Sequence, residues 1–386
     1  MPLKLTILPG LRNGTVSIPP SKSHLHRLMI AEFLARNTAP ITSDVIQAED
    51  ILATKSCLET LCSDAIPVLP CRKSGSTLRF LLPVAMACRN EAFFTAEGRL
   101  PQRPIAPFLE LLAHHGVQCL SPDDHLFPLH LKGALQPGEY TLPGNISSQI
   151  VTGLLFALPI LGGDSTIRLT TPMESQGYVE MTLQVLKAFQ IEVTATEDAF
   201  VVPGNQHYIS PGDLSPELDW SGAAFWLAMN RMGSQITLPP MPASSKQPDR
   251  QITEFLTRLG SSIDVSQCPD IFPVLAVAAA ATPATTLFTG VRRLRLKESD
   301  RLAAMAELLN QLGVATTSEE NAFTVQGIGP HFQGNVTINP HNDHRIAMAA
   351  AVAATVANGP VTILTPDCVR KSYPDFFQQF QGLAGY

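Results

Sequence analysis

Positive charge is scarce in this sequence. Its 27 Lys and Arg are outnumbered by 33 Asp and Glu, for a formal net charge of −6 over 386 residues. A general nucleic-acid or membrane-surface binder is normally basic, so both classes are excluded. Long apolar runs are missing too. Val274–Ala281 and Ile346–Ala357 fall short of the roughly 20 residues that a bilayer span needs. The seven cysteines are odd in number and show no CxxC spacing, which argues against a disulfide framework or a zinc site. The opening "MPLKLTILPGLRNG" has no apolar core or small-residue cleavage pattern, so no secretory signal is expected and a reducing cytoplasm is the expected compartment. What the chain does have is 45% hydrophobic content, enough for large cores, and 32 prolines scattered between elements.

One phrase recurs: an amphipathic helix with a leucine-rich last turn, a break residue, then a β-branched strand. It appears as "LLAHHGVQC" (111–119), "LKAFQIEV" (186–193), "FLTRLGSSIDV" (255–265) and "ELLNQLGVATT" (307–317). Gly116, Gly260 and Gly313 stand where a helix C-terminus favours a left-handed residue. A worn copy, "CLETLCSDAIPV" (57–68), has Cys62 in the break position. The spacing is too irregular for a solenoid and predicts an α/β protein made by duplicating a larger module. "SIPPSKS" (17–23) and "ISPGDLSPELDW" (209–220) read as lobe boundaries. If the two crossings lie together, the N-terminal strand belongs with the C-terminal half, and ligands are expected in a cleft between lobes.

Positive charge, though scarce, is clustered. "RRLRLKESDRL" (292–302) sets five cations and two carboxylates in one short stretch, readable as a solvated helix face or as an anion site. "PPSKSHLHRLMIAEFLA" opens a helix with Ser21 as N-cap; Ser23 and Arg27 share a face beside Lys22, an arrangement suited to phosphate or carboxylate. "KSGSTLRFLLPVAMA" (73–87) offers Gly75 for close backbone approach, Ser76 and Thr77 as donors, and Arg79 one turn on, without Walker A spacing. "GRLPQRP" (98–104) holds Arg99 and Arg103 in a proline-stiffened segment. Ser147, Ser148 and Gln149 precede an apolar helix, and Ser175 and Tyr178 lie in "MESQGYVEMT". Asp270 precedes another apolar helix, where capping and proton transfer are both open readings. In "HNDHR", His341 and His344 have a metal-like spacing, but the adjacent Arg345 opposes a cation, and a helix start presenting Asp343, His344 and Arg345 is the better reading. Lys371 lies in "RKSYPDFF".

Taken in order, "SKSHLHR", "SGSTLRF", "GRLPQRP", "SSQ", "DWSGAAF", "PDIFPVLAV", "RLRLKESDRL", "NDHR" and "KSYPDFF" resemble the EPSP synthase (3-phosphoshikimate 1-carboxyvinyltransferase) family nearly end to end. The resemblance implies an α/β (α+β) fold of two lobes, each built from three βαβαββ modules. It puts the first lobe at 20–218 and the second at 1–19 plus 219–386, with crossings near 18–22 and 214–220. The implied reaction transfers the enolpyruvyl group of phosphoenolpyruvate to the 5-hydroxyl of shikimate 3-phosphate, with no metal or cofactor. By motif match, Lys22, Ser23, Arg27, Ser147, Ser148, Gln149, Ser175, Asp270 and Lys297 hold shikimate 3-phosphate. Lys22, Gly75, Arg99, Gln149, Arg301, Arg345 and Lys371 surround phosphoenolpyruvate. Glu298 is the expected carbon-directed acid/base, with a pKa raised by burial against nearby cations; Asp270 takes the hydroxyl proton, and Lys22 and His344 assist. Leu294, Leu296 and Leu302 are expected to pack the segment that carries Lys297 and Arg301.

The sequence departs from the family in places. The stretch from Asp50 to Cys71 is short by about a strand pair, which predicts a trimmed module in the first lobe. Lys73 adds a cation beside Gly75, and Arg293 replaces a residue that contacts ligand in some members; neither joins the expected site. Gly75 borders the phosphoenolpyruvate pocket in the family, so inhibition by glyphosate is expected, and the expected state is a monomer. Two competing readings are UDP-N-acetylglucosamine enolpyruvyl transferase, which carries a reactive loop cysteine not matched here, and a non-catalytic anion binder.

Overall fold

The computed structural model describes residues 3–36, 48–122, 126–212 and 215–385. Two compact units divide the chain, Met1–Ser21 with Glu217–Tyr386, and Lys22–Pro216. Of the crossing expected near 214–220, position 214 lies outside the described residues. Strands β1 (Lys4–Ile7) and β2 (Arg12–Thr15) precede the first passage between units.

The unit Lys22–Pro216 opens with α1 (Lys22–Arg36) and α2 (Glu49–Ser63). One module follows: β3 (Val68–Pro70), α3 (Gly75–Cys88), β4 (Glu91–Thr95), α4 (Ala106–His114), β5 (Gln118–Cys119), β6 (Leu129–Lys132). A second copy comes after it: β7 (Glu139–Leu142), α5 (Ser148–Ala157), β8 (Ser165–Leu169), α6 (Gln176–Ala188), β9 (Thr194–Ala195), β10 (Ala199–Val202). Their sheets have the same order, β3-β4-β6-β5 and β7-β8-β10-β9. The first pair of each is parallel and the remaining pairs antiparallel. A parallel pair needs a long crossover, and α3 and α5 provide it. No third four-stranded sheet occurs among the described residues of this unit; α1 and α2 precede its two copies without one.

The other unit contains α7 (Trp220–Arg231), β11 (Gln235–Thr237) and a short α8 (Ile252–Phe255). A further copy of the module follows: β12 (Ser262–Asp264), α9 (Phe272–Ala280), β13 (Thr285–Thr289), α10 (Arg301–Gln311), β14 (Thr316–Ser318), β15 (Ala322–Gln326), in sheet order β12-β13-β15-β14. It ends with β16 (Val336–Ile338), α11 (His344–Ala354), β17 (Val361–Leu364), α12 (Phe376–Gly382) and β18 (Ala384–Gly385). The N-terminal strands complete its sheets: β1 pairs antiparallel with β17, and β2 lies between β11 and β18. Every residue of α9 and α11 is buried, so both are interior helices with no solvent face. That is why α9, and α11 beyond its first two residues, are apolar all round.

The recurring phrase follows from helix termination. Gly116 and Gly313 have φ of +87° and +82°, and a Cβ on Gly116 would meet the Ala134 carbonyl at 2.7 Å. In the copy without glycine, Gln190 itself takes φ +61°. The worn copy breaks differently from its expected pattern. Cys62 lies inside α2, which runs on to Ser63 and ends at an extended Asp64 (φ −104°), with no left-handed residue at position 62.

Candidate active site

The stretch 292–302 is not one helix. Arg292–Leu296 form a 3-10 turn, Lys297 is extended, and α10 starts at Arg301 after Asp300, whose carboxylate accepts from the Ala303 N–H at 3.1 Å. The charges part company accordingly. Arg295 turns toward Asp300 and the Glu319 carbonyl, and Arg293 donates to the Ser266 carbonyl. Lys297, Glu298 and Arg301 join a buried cluster. Leu294 and Leu302 are fully buried, but Leu296 is 53% exposed and does not pack the segment as expected. A 3-10 turn advances about 120° per residue, so positions 294 and 296 cannot share a face.

Arg301, 1% exposed, organises this cluster. Its Nε donates to Asp343 Oδ2 at 2.8 Å, Nη1 to Asp270 Oδ1 at 2.8 Å, and Nη2 to Glu298 Oε2 at 2.9 Å. Asp343 also caps α11 by accepting from the Arg345 N–H at 3.0 Å and takes a hydrogen bond from Ser299 at 3.1 Å. Asp270 stands one turn before α9, where Arg345 Nη1 donates to its carbonyl at 3.0 Å and Nη2 to its carboxylate at 3.3 Å. Lys297 lies 3.4 Å from Asp270 Oδ1, and Lys371 donates to Glu298 Oε1 at 3.1 Å. The N-termini of α9, α10 and α11 thus meet around one guanidinium, and helix N-termini favour anions. His344 is buried behind the cap, with Nδ1 3.7 Å from Asp343 Oδ1. His341, the other half of the metal-like pair, is exposed and bonds Glu307 at 2.7 Å. The lead-in to α11 is strained: His341 and Asn342 have φ of +51° and +58°.

Four cations therefore face three carboxylates in this cluster, and the electrostatics follow. Burial alone would raise the Asp270 carboxyl, but Arg345, Lys297 and Arg301 outweigh it and hold the group well below the usual range. Burial lowers the Lys297 amine to about 8 despite the Asp270 charge. Burial opposes the charge on Arg301, yet Asp343, Glu298 and Asp270 overcome this and push its pKa up.

The unit Lys22–Pro216 carries a second set. Lys22 pairs with the buried Asp50 at 2.7 Å. Arg27 is buried: Nε donates to Thr182 Oγ1 at 2.8 Å, Nη1 to the Ser23 carbonyl at 2.6 Å, and Nη2 to the Tyr178 carbonyl at 2.8 Å and Thr152 Oγ1 at 3.4 Å. Burial brings its pKa down to about 9. These bonds tie α1 to α5 and to α6, which begins after Ser175, a buried residue at φ +58°. Ser74 and Ser147 cap α3 and α5 by accepting from the Thr77 and Gln149 N–H groups, each cap worth about 1 kcal/mol. Ser148 is buried in the first turn of α5. Gly153 lets α3 and α5 approach closely, since a Cβ there would meet the Arg79 carbonyl at 2.6 Å. Their starts consequently lie together. Gln149 Nε2 donates to Ser76 Oγ at 2.9 Å, and Arg79 reaches Gln149 Oε1 at 3.4 Å, the Gly75 carbonyl at 3.4 Å and the Pro104 carbonyl at 3.2 Å. Arg103 covers Gly75, while Arg99 is exposed at the start of the 3-10 turn Leu100–Gln102.

Sequence reasoning missed several partners. Asp50 reads as an ordinary acid in a helix first turn, and nothing periodic joins it to Lys22. Asp249, in "KQPDRQ", is buried, accepts from Ser221, and is pushed up to about 6 by burial and then by the Asp270 charge. Thr152 and Thr182 read as helix interior. Their periodicity was the available signal, for it places both on buried faces. Among the described residues, no group of three or more His, Cys, Asp or Glu side chains is arranged to hold a metal ion.

The sequence matches the family model described as EPSP synthase (3-phosphoshikimate 1-carboxyvinyltransferase) over residues 9–267 and 229–380. Among similar proteins are the 3-phosphoshikimate 1-carboxyvinyltransferases of Clostridium kluyveri, 38% identical over 419 aligned positions, and of Clostridium beijerinckii, 36% over 427. Each alignment covers 99% of this chain and 97% of the relative. The backbone is similar to that of EPSP synthase from Acinetobacter baumannii, with a TM-score of 0.78 at 24% identity, covering 99% of this chain and 98% of that one. The enolpyruvyl transferase NikO from Streptomyces tendae gives 0.76 at 17% identity, covering 100% and 98%.

Proposed function

The chain belongs to the EPSP synthase family, and from that premise we propose how its residues divide the family's reaction. That reaction transfers the enolpyruvyl group of phosphoenolpyruvate to the 5-hydroxyl of shikimate 3-phosphate and releases phosphate. It is a step of the shikimate pathway toward chorismate and aromatic amino acids. Lys22, Ser23, Arg27, Ser147, Ser148, Gln149, Ser175, Asp270 and Lys297 hold shikimate 3-phosphate. Lys22, Gly75, Arg99, Gln149, Arg301, Arg345 and Lys371 hold phosphoenolpyruvate. The observation that carries this division is the Arg301 cluster, in which the cations needed by an anionic substrate are bonded to the carboxylates needed for proton transfer.

In the mechanism, the hydroxyl attacks the central carbon of phosphoenolpyruvate while its methylene carbon takes a proton. The tetrahedral adduct then loses phosphate as that proton is removed. Asp270, kept ionised by its cations, accepts the hydroxyl proton. Glu298 delivers and recovers the carbon-bound proton. Without substrate, Glu298 accepts from both Arg301 and Lys371. The phosphate and carboxylate of phosphoenolpyruvate compete for those two cations, and Glu298, losing them, takes up a proton from solvent, which it then gives to carbon and later recovers. Lys22 and His344 stabilise the developing charge.

The test is phosphate release from phosphoenolpyruvate with and without shikimate 3-phosphate. Release that requires shikimate 3-phosphate supports this reading. Release only with UDP-N-acetylglucosamine supports the sibling enzyme, and no release with either supports a binder. The reading extends to a monomer in a reducing cytoplasm, in keeping with seven cysteines of which none is in a disulfide.

Two further results are expected. Because the Lys297 pKa is about 8 in the unliganded protein, kcat/KM for shikimate 3-phosphate should fall as pH rises through 8, where the amine loses its charge. Lys297→Arg should abolish that limb, and an unchanged pH profile in this variant would assign the titration elsewhere. At Gly75, an added Cβ would meet Arg103 Nη1 at 2.5 Å and Arg79 Nη1 at 2.8 Å. Since this glycine borders the phosphoenolpyruvate pocket in the family, glyphosate is expected to inhibit the parent in competition with phosphoenolpyruvate. Gly75→Ala should resist it, with KM for phosphoenolpyruvate raised about tenfold. Undiminished parent turnover at herbicide levels well above phosphoenolpyruvate would refute the sensitivity.

A further inference from the structure

Beyond the Lys22–Asp50 pair, a chain of buried hydrogen bonds runs between α1, α2 and α3. His26 Nδ1 lies 2.7 Å from Thr54 Oγ1, which lies 2.7 Å from Thr77 Oγ1, which donates to Ser74 Oγ at 2.7 Å. All four residues are at most 1% exposed. Each helix presents one candidate site group beside this chain: Lys22 one turn from His26 on α1, Asp50 one turn from Thr54 on α2, and Gly75 next to the Ser74 cap of α3. The Asp50 carbonyl lies 3.3 Å from Thr77 Oγ1.

The direction of the chain follows from proton counting. Ser74 Oγ already accepts from the Thr77 N–H as helix cap. The single Thr77 hydroxyl proton goes to Ser74 at 2.7 Å rather than to the Asp50 carbonyl at 3.3 Å. Thr77 Oγ1 then accepts from Thr54, and Thr54 accepts from Nδ1–H of His26. The imidazole is neutral, since burial brings its pKa down to about 3. Its Nε2 is buried with no hydrogen-bond partner among the described residues, and the ring meets Phe80 edge-on at 6.1 Å. An apolar seam would tolerate small slips of one helix against another. A sequence of 2.7 Å bonds, in which Thr54 and Thr77 each give and accept, does not.

We propose that His26, Thr54, Thr77 and Ser74 form a positioning relay. It fixes the start of α3, with Gly75, against α1 and α2, whose own starts the Lys22–Asp50 pair joins independently at 2.7 Å, and so sets the affinity for phosphoenolpyruvate without moving Lys22. The inference rests on the assignment of Gly75 to that substrate. None of the four touches reacting atoms; they act through the backbone they hold.

Thr54→Val keeps the shape and removes the middle link. Its KM for phosphoenolpyruvate is expected to rise about tenfold, with KM for shikimate 3-phosphate and kcat within about twofold of the parent. Thr54→Ser restores the hydroxyl and should restore the parent KM. In ¹⁵N NMR the His26 ring should remain the Nδ1–H tautomer from pH 5 to 9 in the parent. An unchanged phosphoenolpyruvate KM in Thr54→Val, or a parallel loss in both KM values and kcat that Thr54→Ser does not rescue, overturns the relay while parent turnover leaves the proposed reaction standing. A parent that shows no turnover takes both down. If Thr54→Val does not fold, Thr77→Val severs the chain one link on and carries the same expectation.

Discussion

Glu298→Gln is expected to lower kcat about a thousandfold while leaving the thermal unfolding midpoint within a few degrees of the parent. Glutamine keeps the length and planarity of the side chain, and its carbonyl can still accept from Arg301 or Lys371, which now bond the two Glu298 oxygens at 2.9 and 3.1 Å. It has no proton to give to carbon and cannot take one back. General acid–base groups typically contribute about 10²–10⁴ in rate, and here one group serves both proton steps. The loss should fall on kcat and spare both KM values, because the cations that hold substrate remain. Steady-state kinetics at saturating substrates, with a melting curve as control, measures this. A loss below about tenfold would move the carbon-directed role to another group, with Lys22 and Asp270 the first to examine.

The second large effect is on stability. Arg301→Leu leaves Asp343, Asp270 and Glu298 without the guanidinium they share. Removing one partner of a buried ion pair costs about 3–5 kcal/mol, because the other charge stays buried and uncompensated. For a unit of this size each kcal/mol shifts the midpoint by about 2–4 °C, so a fall of roughly 6–20 °C is expected. Activity should be lost outright. Arg301→Lys keeps the charge but cannot point three separate N–H groups at three carboxylates, so it should fall between parent and Leu variant. The pH dependence supplies a further check. Asp270 has a folded pKa below its unfolded value, so its contribution in the parent is present above about pH 4 and lost in more acid solution. In the variant Asp270 keeps Arg345 and Lys297 but loses the third of its cations, so it protonates more readily than in the parent. The gap in midpoint between the two proteins should therefore narrow between pH 7.5 and pH 5. A gap independent of pH would assign the loss to packing rather than to charge.

Several of these features were legible before any coordinates. The helix-and-strand phrase was readable because helix periodicity and a left-handed break residue are both local. It failed at Cys62, where α2 continues, since no residue there marks a stop. It succeeded in the copy ending at Gln190 even without a glycine, because the leucines alone located the helix. The cations of the Arg301 cluster were visible as motifs, and Asp343 was visible beside them. Their pairing was not, because Asp270, Arg301 and Asp343 come from three helix starts that only the tertiary fold brings within 3 Å. Asp50 and Asp249 escaped for the same reason. Leu296 was misread because nothing local marks Arg292–Leu296 as a 3-10 turn set apart from α10, a turn that leaves this side chain outside the core.

The pairing of β1 with β17, and of β2 with both β11 and β18, bears on how the polypeptide is born. Residues 22–216 are an uninterrupted stretch with a core of their own, free to fold soon after leaving the ribosome. Of the strands made before them, β2 must wait for β11 at 235–237, and β1 stays unpartnered until β17 at 361–364 has been translated. A chain cut before Ala384 would lose β18 and leave an edge of β2 bare, which exposes that strand to aggregation or proteolysis.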